Sequence, residues 1–248
     1  VKISVITATF NSAQTLARAL SSVASQSWPD VEHIVVDGAS TDETLAIVAK
    51  LGERVAKTVS EPDRGIYDAL NKGVHLATGD IIGFLHSDDE FAGPEVMSWV
   101  AAEFADPAVH AVYGDLAYVS ADGTRVIRAW RARDFASREL ARGWMPPHPA
   151  LYLRRSLYEK LGGFDETFRI AADYEFIMRV FTQPYLVWRY VPRTFVCMRF
   201  GGASNRSLGN ILRKSREDYA AMARYGFGPS TLVLKNLRKL PQYWSRRS

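Results

Sequence analysis

The chain of 248 residues is 47% hydrophobic and 23% charged, with one cysteine, Cys197. That composition suits one α/β-sized globular unit and excludes a collagenous, low-complexity or disulfide-stapled protein. The formal charge of +4 is unevenly spread, because residues 206–248 hold ten Lys/Arg against two Asp/Glu and leave residues 1–205 net acidic.

The first hundred residues alternate between strand and helix signals. Residues 3–8 form an apolar, β-branched run; Asn11-Ser12 then offers a helix cap, and Leu16, Ala19, Leu20 and Val23 follow at helical spacing. Ile34-Val35-Val36 predicts a short buried strand ending at Asp37-Gly38. Ser40-Thr41-Asp42-Glu43 reads as a cap with acids in the first helical turn, where the dipole favours them. Residues 55–59 are a third strand, 66–77 a third helix and 81–85 a fourth strand, which closes on His86-Ser87-Asp88-Asp89. This succession predicts a mostly parallel central sheet with helices on both faces. Ligands of such sheets bind outside the carboxyl ends of the strands. The clusters Thr9-Phe10-Asn11, Asp37-Gly38-Ala39-Ser40 and Ser87-Asp88-Asp89 are therefore expected to meet in one crevice.

Residues 111–128 read as a hairpin turning at Asp122-Gly123. Residues 130–150, with Trp130, Trp144, Met145 and Pro146-Pro147-His148-Pro149, read as a loop. Helical patterns follow at 155–161 and 173–181, apolar strands at 186–191 and 194–200, and an amphipathic helix at 211–225. No linker divides two independent domains. The single cysteine lies in an apolar run and suits a reducing compartment. No run of about 18 apolar residues is present that would span a bilayer. The opening is strand-like and does not read as a secretory leader, so a cytoplasmic, soluble or peripheral protein is expected.

Clustered acids at the end of an apolar strand are costly unless a cation compensates. Ser87-Asp88-Asp89-Glu90 supplies hard carboxylate oxygens that suit Mg²⁺ or Mn²⁺ bridging a diphosphate. A solvated acidic turn ahead of a helix near Pro94 accounts for the same residues. Asp37 at a strand end can accept hydrogen bonds from a base or a ribose, with Gly38 permitting close approach. A helix-capping turn is the plainer account of Ser40 and Asp42.

Taken in order, residues 5–11 (VITATFN), 35–42 (VVDGASTD), 65–73 (GIYDALNKG) and 77–89 (ATGDIIGFLHSDD) resemble family 2 glycosyltransferases. Gly162-Gly163-Phe164-Asp165-Glu166 and Ala172-Asp173-Tyr174-Glu175 extend the resemblance to about residue 205. Bacterial enzymes of exopolysaccharide and O-antigen assembly are the form it resembles. The resemblance implies a GT-A fold of Rossmann-like, nucleotide-binding character, a nucleotide-sugar donor (UDP by family frequency), inversion at the anomeric carbon and a divalent metal, Mn²⁺ or Mg²⁺. It divides the chain into a GT-A domain at 1–205, with a nucleotide-sugar half at 1–115 and an acceptor half at 116–205. Residues 206–248 then form a basic helical extension.

Carried over by position, Thr9 and Phe10 border the nucleobase and Asp37 binds base or ribose. Arg64 lies near the nucleotide, Ser87 joins the nucleotide set, and Asp88 is both nucleotide-binding and the metal ligand. Asn71 belongs to a helix-borne cluster that shapes the pocket. His86 stands where the family commonly has an acid, so it either alters ribose recognition or packs. Asp173 is the expected general base, since inverting transfer needs a carboxylate to take the acceptor's proton; its other reading is a helix cap. His148 and Trp144 are candidates for the acceptor side, with structural packing as the alternative for each. Residues 201–204 (GGAS) suit a flap near the diphosphate, with Arg206 in reach of a phosphate.

The Gln-x-x-Arg-Trp block of processive relatives is absent, which favours one sugar per encounter onto a glycan or lipid-linked acceptor in surface polysaccharide synthesis. Leu232, Leu234, Leu237, Leu240, Tyr243 and Trp244 alternate with Lys235, Arg238, Lys239, Arg246 and Arg247. That mixture suits an interfacial helix on an anionic membrane, such as the cytoplasmic face of an inner membrane; packing on the domain explains it equally. The competing class is an inactive nucleotide-sugar-binding regulatory or scaffold subunit, whose signature would be loss of Asp88 or Asp173. A nucleotidyltransferase would show a Gly-rich, basic loop after the first strand, and no nucleic-acid-reading motif is found.

Overall fold

The alternating signals of the first hundred residues become four parallel strands with their crossover helices. In this computed structural model, residues 1–199 and 208–238 are described. The strands are β1 (Ile3–Thr9), β2 (Val31–Asp37), β3 (Val55–Ser60), β4 (Ile81–Phe84), β5 (Glu90–Phe91), β6 (Ala111–Val119), β7 (Val126–Trp130), β8 (Leu151–Arg154) and β9 (Trp188–Arg199). The helices are α1 (Leu16–Ala24), α2 (Thr44–Leu51), α3 (Ile66–Leu76), α4 (Val96–Phe104), α5 (Arg155–Leu161), α6 (Ala172–Phe181), α7 (Leu208–Arg224) and α8 (Pro229–Leu237). Among the described residues the strands form one sheet in the order β3-β2-β1-β4-β8-β6-β9-β5, with β7 paired to β6. β3, β2, β1 and β4 run parallel, as do β6 and β9, while β8 joins β4 and β6 antiparallel.

Side-chain alternation along β1 builds a core on each face of the sheet. Ile3 and Val5 pack with Leu16, Leu20 and Val23 of α1 and with Val100 and Phe104 of α4. Ile6 and Ala8 pack on the other side with Ala69 and Leu70 of α3 and with Phe176 and Ile177 of α6. A Cβ at Gly73 would strike Ile6, so glycine lets α3 lie close on β1. β3 exposes every second residue, as an edge strand does.

Two strand expectations change. β2 begins at Val31, earlier than its apolar run, and buries Glu32 and His33. The Glu32 carboxylate accepts from Ser4 Oγ at 2.6 Å, Thr78 N at 2.8 Å, Thr78 Oγ1 at 2.7 Å and Lys2 Nζ at 3.1 Å. Burial works against its charge, yet these bonds hold the carboxyl down to about 2. The expected pair of strands at 186–191 and 194–200 is instead one strand, β9. Tyr113 pairs with Tyr190 and Asp115 with Thr194, so the stretch around Pro192 is taken up as a bulge, where a strand tolerates proline. The hairpin is realised in β6 and β7, with Gly123 at φ +80° in its turn.

The 130–150 loop carries two short 3₁₀ turns, Ser137–Arg142 and His148–Ala150. α7 and α8 pack back on the domain. Lys235 Nζ lies 2.8 Å from Asp218 Oδ2 and 3.2 Å from the centroid of the Tyr174 ring, and Thr231 donates to Ala141 O at 2.9 Å. Val233, Leu234 and Leu237 form the exposed side of α8. Among the described residues no helix is long and apolar enough to cross a membrane. Phe200, the 201–204 flap, Arg206, and the tail residues Lys239, Leu240, Tyr243, Trp244, Arg246 and Arg247 lie outside the described residues.

Candidate active site

The carboxyl ends of β1, β2 and β4 bring the three polar clusters together. Asn11 N–H donates to Ser40 Oγ at 2.8 Å, Thr41 N–H donates to Asn11 Oδ1 at 2.9 Å, and the Ser12 and Ser87 hydroxyls lie 2.9 Å apart. Asn11 and Ala39 take positive φ of 46° and 63° to make these turns, strained backbone of the kind that gathers at binding edges. Asp37 is fully buried. Its carboxylate accepts from Ser40 N at 2.9 Å, from Ser60 Oγ at 2.7 Å and, in a short bond, from Ser40 Oγ. A carboxylate has about four acceptor sites, so Asp37 spends most of them shaping its own turn. Thr9 is buried with Oγ1 unpartnered, whereas Phe10 is 61% exposed at the mouth. Any side chain at Gly38 would strike the Asp63 carboxylate and meet Phe10 Cδ2 at 3.4 Å. Phe10 and Asp63 thus flank one bare stretch of backbone.

Ser87 and Asp88 are half-buried at the end of β4. Asp89 is 2% exposed, and burial, with Asp88 beside it, pushes its carboxyl well up. The Arg64 side chain is largely exposed at the rim. It donates to Asp68 Oδ1 at 3.0 Å and lies 2.8 Å from Glu166 Oε2, so its donors rest on carboxylates that link α3 to the segment before α6. Asn71 shapes the same junction: its amide oxygen accepts from Phe164 N at 2.8 Å and its amide nitrogen donates to Phe164 O at 2.9 Å.

Asp173 stands in the first turn of α6, where the N-cap residue is Ala171 and no side chain caps the helix. The capping reading of Asp173 is therefore not realised. Its half-buried carboxylate accepts from Tyr67 Oη at 3.0 Å. Burial opposes its ionisation, but the His148 ring when protonated, Lys214, the Tyr174 N–H and the Tyr67 hydroxyl outweigh burial and hold Asp173 below the usual carboxylate range.

His148 is delivered by its 3₁₀ turn onto Phe84, ring centroids 5.3 Å apart, with Phe164 at 5.6 Å and the His86 ring at 6.3 Å. Burial pulls it down to about 4 against the attraction of Asp173, so the ring is neutral at neutral pH, and its Nε2 is buried without a partner. Burial also lowers His86, opposed by both Asp88 and Asp173. The acidic turn after β4 and the carboxylate of α6 therefore act on one imidazole. Trp144 is 6% exposed within an aromatic core of Tyr113, Phe135 and Phe181. Packing, not acceptor stacking, is its place, because no ring face is left for a sugar.

Residues 4–173 match the family described as Glycosyl transferase family 2. The chain belongs to that family.

This glycosyltransferase is 38% identical over 181 residues to an uncharacterised glycosyltransferase of Mycobacterium tuberculosis (strain CDC 1551 / Oshkosh), covering 71% of this chain and 68% of the relative. It is 36% identical over 211 residues to the PGL/p-HBAD biosynthesis glycosyltransferase of Mycobacterium bovis (strain BCG / Pasteur 1173P2), covering 82% and 78%. Among solved structures it resembles the mannosyltransferase PcManGT from Pyrobaculum calidifontis in complex with GDP-Man and Mn²⁺, at TM-score 0.68 and 22% identity over 99% of this chain and 73% of the other. S. aureus TarS 1-349 in complex with UDP-GlcNAc gives 0.67 at 18% identity over 99% and 73%. Against a longer TarS crystal structure the TM-score is 0.66 at 20% identity, and the chain spans 44% of that protein. These likenesses show the GT-A fold.

Family 2 membership raises the question of a divalent ion. Among the described residues no three His, Cys, Asp or Glu side chains converge to hold one unaided. Asp88, a half-buried carboxylate at the end of β4, is the residue that would hold such an ion, a single hard oxygen ligand of the kind that suits Mg²⁺ together with substrate phosphates. Three site residues escaped sequence reading. Asp63 needed the approach to Gly38 to be seen. Tyr67 could have been found, since it stands one helical turn before Asn71 and so shares its face of α3. Glu217, whose Oε2 accepts from Ile170 N at 2.8 Å and Ala171 N at 3.0 Å, left no local signal.

Proposed function

We propose that this glycosyltransferase moves one sugar per encounter, with inversion, from a UDP-sugar to a hydroxyl of a glycan or lipid-linked acceptor in surface polysaccharide synthesis of the exopolysaccharide or O-antigen kind. The observation that carries the reading is Asp173: a half-buried carboxylate at the head of α6 that accepts from Tyr67 Oη at 3.0 Å. In the proposed step the acceptor oxygen bonds to the anomeric carbon as the bond to the diphosphate oxygen breaks. The electron pair leaves with the nucleoside diphosphate, and the acceptor's proton passes to Asp173. Phe10, Thr9 and Asp37 border base and ribose beside Asp63, Ser87 and Asp88 face the diphosphate, and Arg64 is reached from the rim. His148 sits on the acceptor side of Asp173. A divalent ion, Mn²⁺ or Mg²⁺, would supply neutralisation of the charge on the leaving diphosphate when bound.

The presence of both Asp88 and Asp173 disfavours the inactive-subunit alternative. The domain division proposed is a GT-A unit at 1–205 followed by a basic helical extension. The exposed Val233, Leu234 and Leu237, set within the basic C-terminal fifth, support peripheral contact with an anionic cytoplasmic membrane face.

The test is a thermal-shift screen of UDP, GDP, dTDP and CDP with and without Mn²⁺, because a ligand of the folded state raises the melting temperature. Mn²⁺-dependent stabilisation by UDP is expected. Stabilisation by GDP alone would overturn the nucleobase assignment, and silence from all four would overturn the donor reading.

A further inference from the structure

The turn that leads into α6 is gripped from two sides. From α3, the Tyr67 hydroxyl lies 2.8 Å from Ile170 O and 3.0 Å from Asp173 Oδ1. From α7, Glu217 Oε2 accepts from the backbone N–H groups of Ile170 and Ala171. Those N–H groups precede a helix whose own N-cap, Ala171, offers no side-chain acceptor. Glu217 therefore pins the entry to α6 from a distance, through N–H groups that the local sequence does not engage.

The Tyr67 hydroxyl has one proton and two acceptors within reach. An ionised carboxylate is the stronger acceptor, so the proton points to Asp173 while that group is charged. Once Asp173 holds a proton, the hydroxyl can turn to Ile170 O and leave the acid without a competing bond. Burial, and then the charge of Asp173, keep the phenol itself protonated, so it serves as a donor and not as a second base.

We propose that Tyr67 and Glu217 are the positioning residues of Asp173, Tyr67 setting how readily it ionises and Glu217 setting where it stands. The inference rests on Asp173 as the general base. The other groups facing this carboxylate are His148 from the 3₁₀ turn, His86 after β4 and Lys214 on α7, and all are left intact in the test.

Two readouts separate this inference from the one beneath it. In the ligand-free protein, the ¹³C carboxyl shift of Asp173, assigned by its loss in Asp173→Asn, is titrated in wild type and in Tyr67→Phe. The midpoint is expected to rise by about one pH unit in Tyr67→Phe, since a bond to the charged form is removed. Nucleoside diphosphate release from UDP-glucose and UDP-GlcNAc is then followed for Tyr67→Phe, Glu217→Ala and Glu217→Gln. Turnover is expected to fall about tenfold in Tyr67→Phe and Glu217→Ala with the donor KM within about twofold, the signature of a lost transition-state contribution. Glu217→Gln should restore most of the rate, because its amide oxygen still accepts both N–H groups.

An unshifted Tyr67→Phe midpoint, or wild-type turnover in Glu217→Ala, overturns the inference even if Asp173→Asn is inactive. Wild-type turnover in Asp173→Asn overturns the base assignment first, and this inference with it. Should Glu217→Ala not fold, the Tyr67→Phe titration decides alone.

Discussion

The Tyr67 hydroxyl and the Asp173 carboxylate, 106 residues apart in sequence, stand 3.0 Å apart at the head of α6. That bond joins α3, the helix after β3, to α6, and it ties the Asp173 carboxylate to a second element. The Asn71–Phe164 amide pair lies one helical turn further along and closes the same junction.

Asp173→Asn keeps shape and loses the proton acceptor. Nucleoside diphosphate release should fall by about 10² to 10⁴-fold, the usual contribution of a general base. Nucleotide-induced thermal stabilisation should stay within a degree or two of wild type. An equal loss of nucleotide binding would mean that Asp173 serves the donor.

Asp88→Asn should act on the other side of the site. With Asp88 as the proposed ligand of the divalent ion, the Mn²⁺-dependent part of the UDP thermal shift is expected to disappear, while the Mn²⁺-independent part survives. Chelation of wild-type protein with EDTA should reproduce that result, and added Mn²⁺ should reverse it.

Stability should decline as the solution is acidified from pH 6.5 towards 4. His33 and His148 are both pulled down to about 4 by burial, so between these limits the unfolded chain binds more protons than the folded one. The contribution of these two histidines therefore rises with pH through this window and is flat above it. Each histidine should cost about 2 kcal/mol at pH 5. Urea unfolding midpoints at pH 7.5 and 5.0 measure the loss, and His33→Gln should remove about 2 kcal/mol of the difference. A Glu32 contribution, present above pH 4.5, is lost only as its folded value of about 2 is approached.

Lys235 and Asp218 form an ion pair whose side chains are both nearly sealed from water. Lys235→Ala leaves the buried carboxylate with only Lys214, 4.0 Å away, and should destabilise by about 3 kcal/mol, whereas Lys235→Met with Asp218→Leu should recover most of it. Chemical denaturation of the single and double variants gives both numbers.

Val233→Glu with Leu237→Glu places two charges on the outer side of α8 without touching its packed side. Co-sedimentation with vesicles containing anionic lipid should fall several-fold relative to wild type. High salt should weaken the wild-type interaction in the same direction. Equal sedimentation with neutral vesicles would overturn the electrostatic part of the proposal.

Most of the first half was legible in the sequence because its signals are local. Leu16, Ala19, Leu20 and Val23 mark one helix face, and Asp37, Ser40 and Ser87 announce strand ends by composition alone. β2 reads short in the sequence because Glu32 and His33 disguise a buried strand, and the partners that make those residues tolerable, Ser4, Thr7, Thr78, Lys2 and Lys57, are distant in sequence. β9 was read as two strands because a proline usually ends one, and the compensating slip belongs to the partner strand β6. At the site, Asp88 and Asp173 could be placed by resemblance. Asp63 and Glu217 could not, since each acts by touching a backbone far along the chain. Trp144 was ambiguous because a tryptophan that stacks on sugar and one that fills a core look alike in sequence.

The Glu217 bond to the turn before α6 also has a meaning in time. During synthesis the ribosome completes all nine strands before it reaches α7, so the sheet can assemble while residues 170 and 171 still lack their acceptor. The sheet's crossover contacts can form domain-first as the chain emerges, but the clasp on this turn is among the last to close. A nascent or C-terminally clipped chain would therefore hold an assembled sheet and an unfinished entry to α6, with a folded body preceding an ordered Asp173.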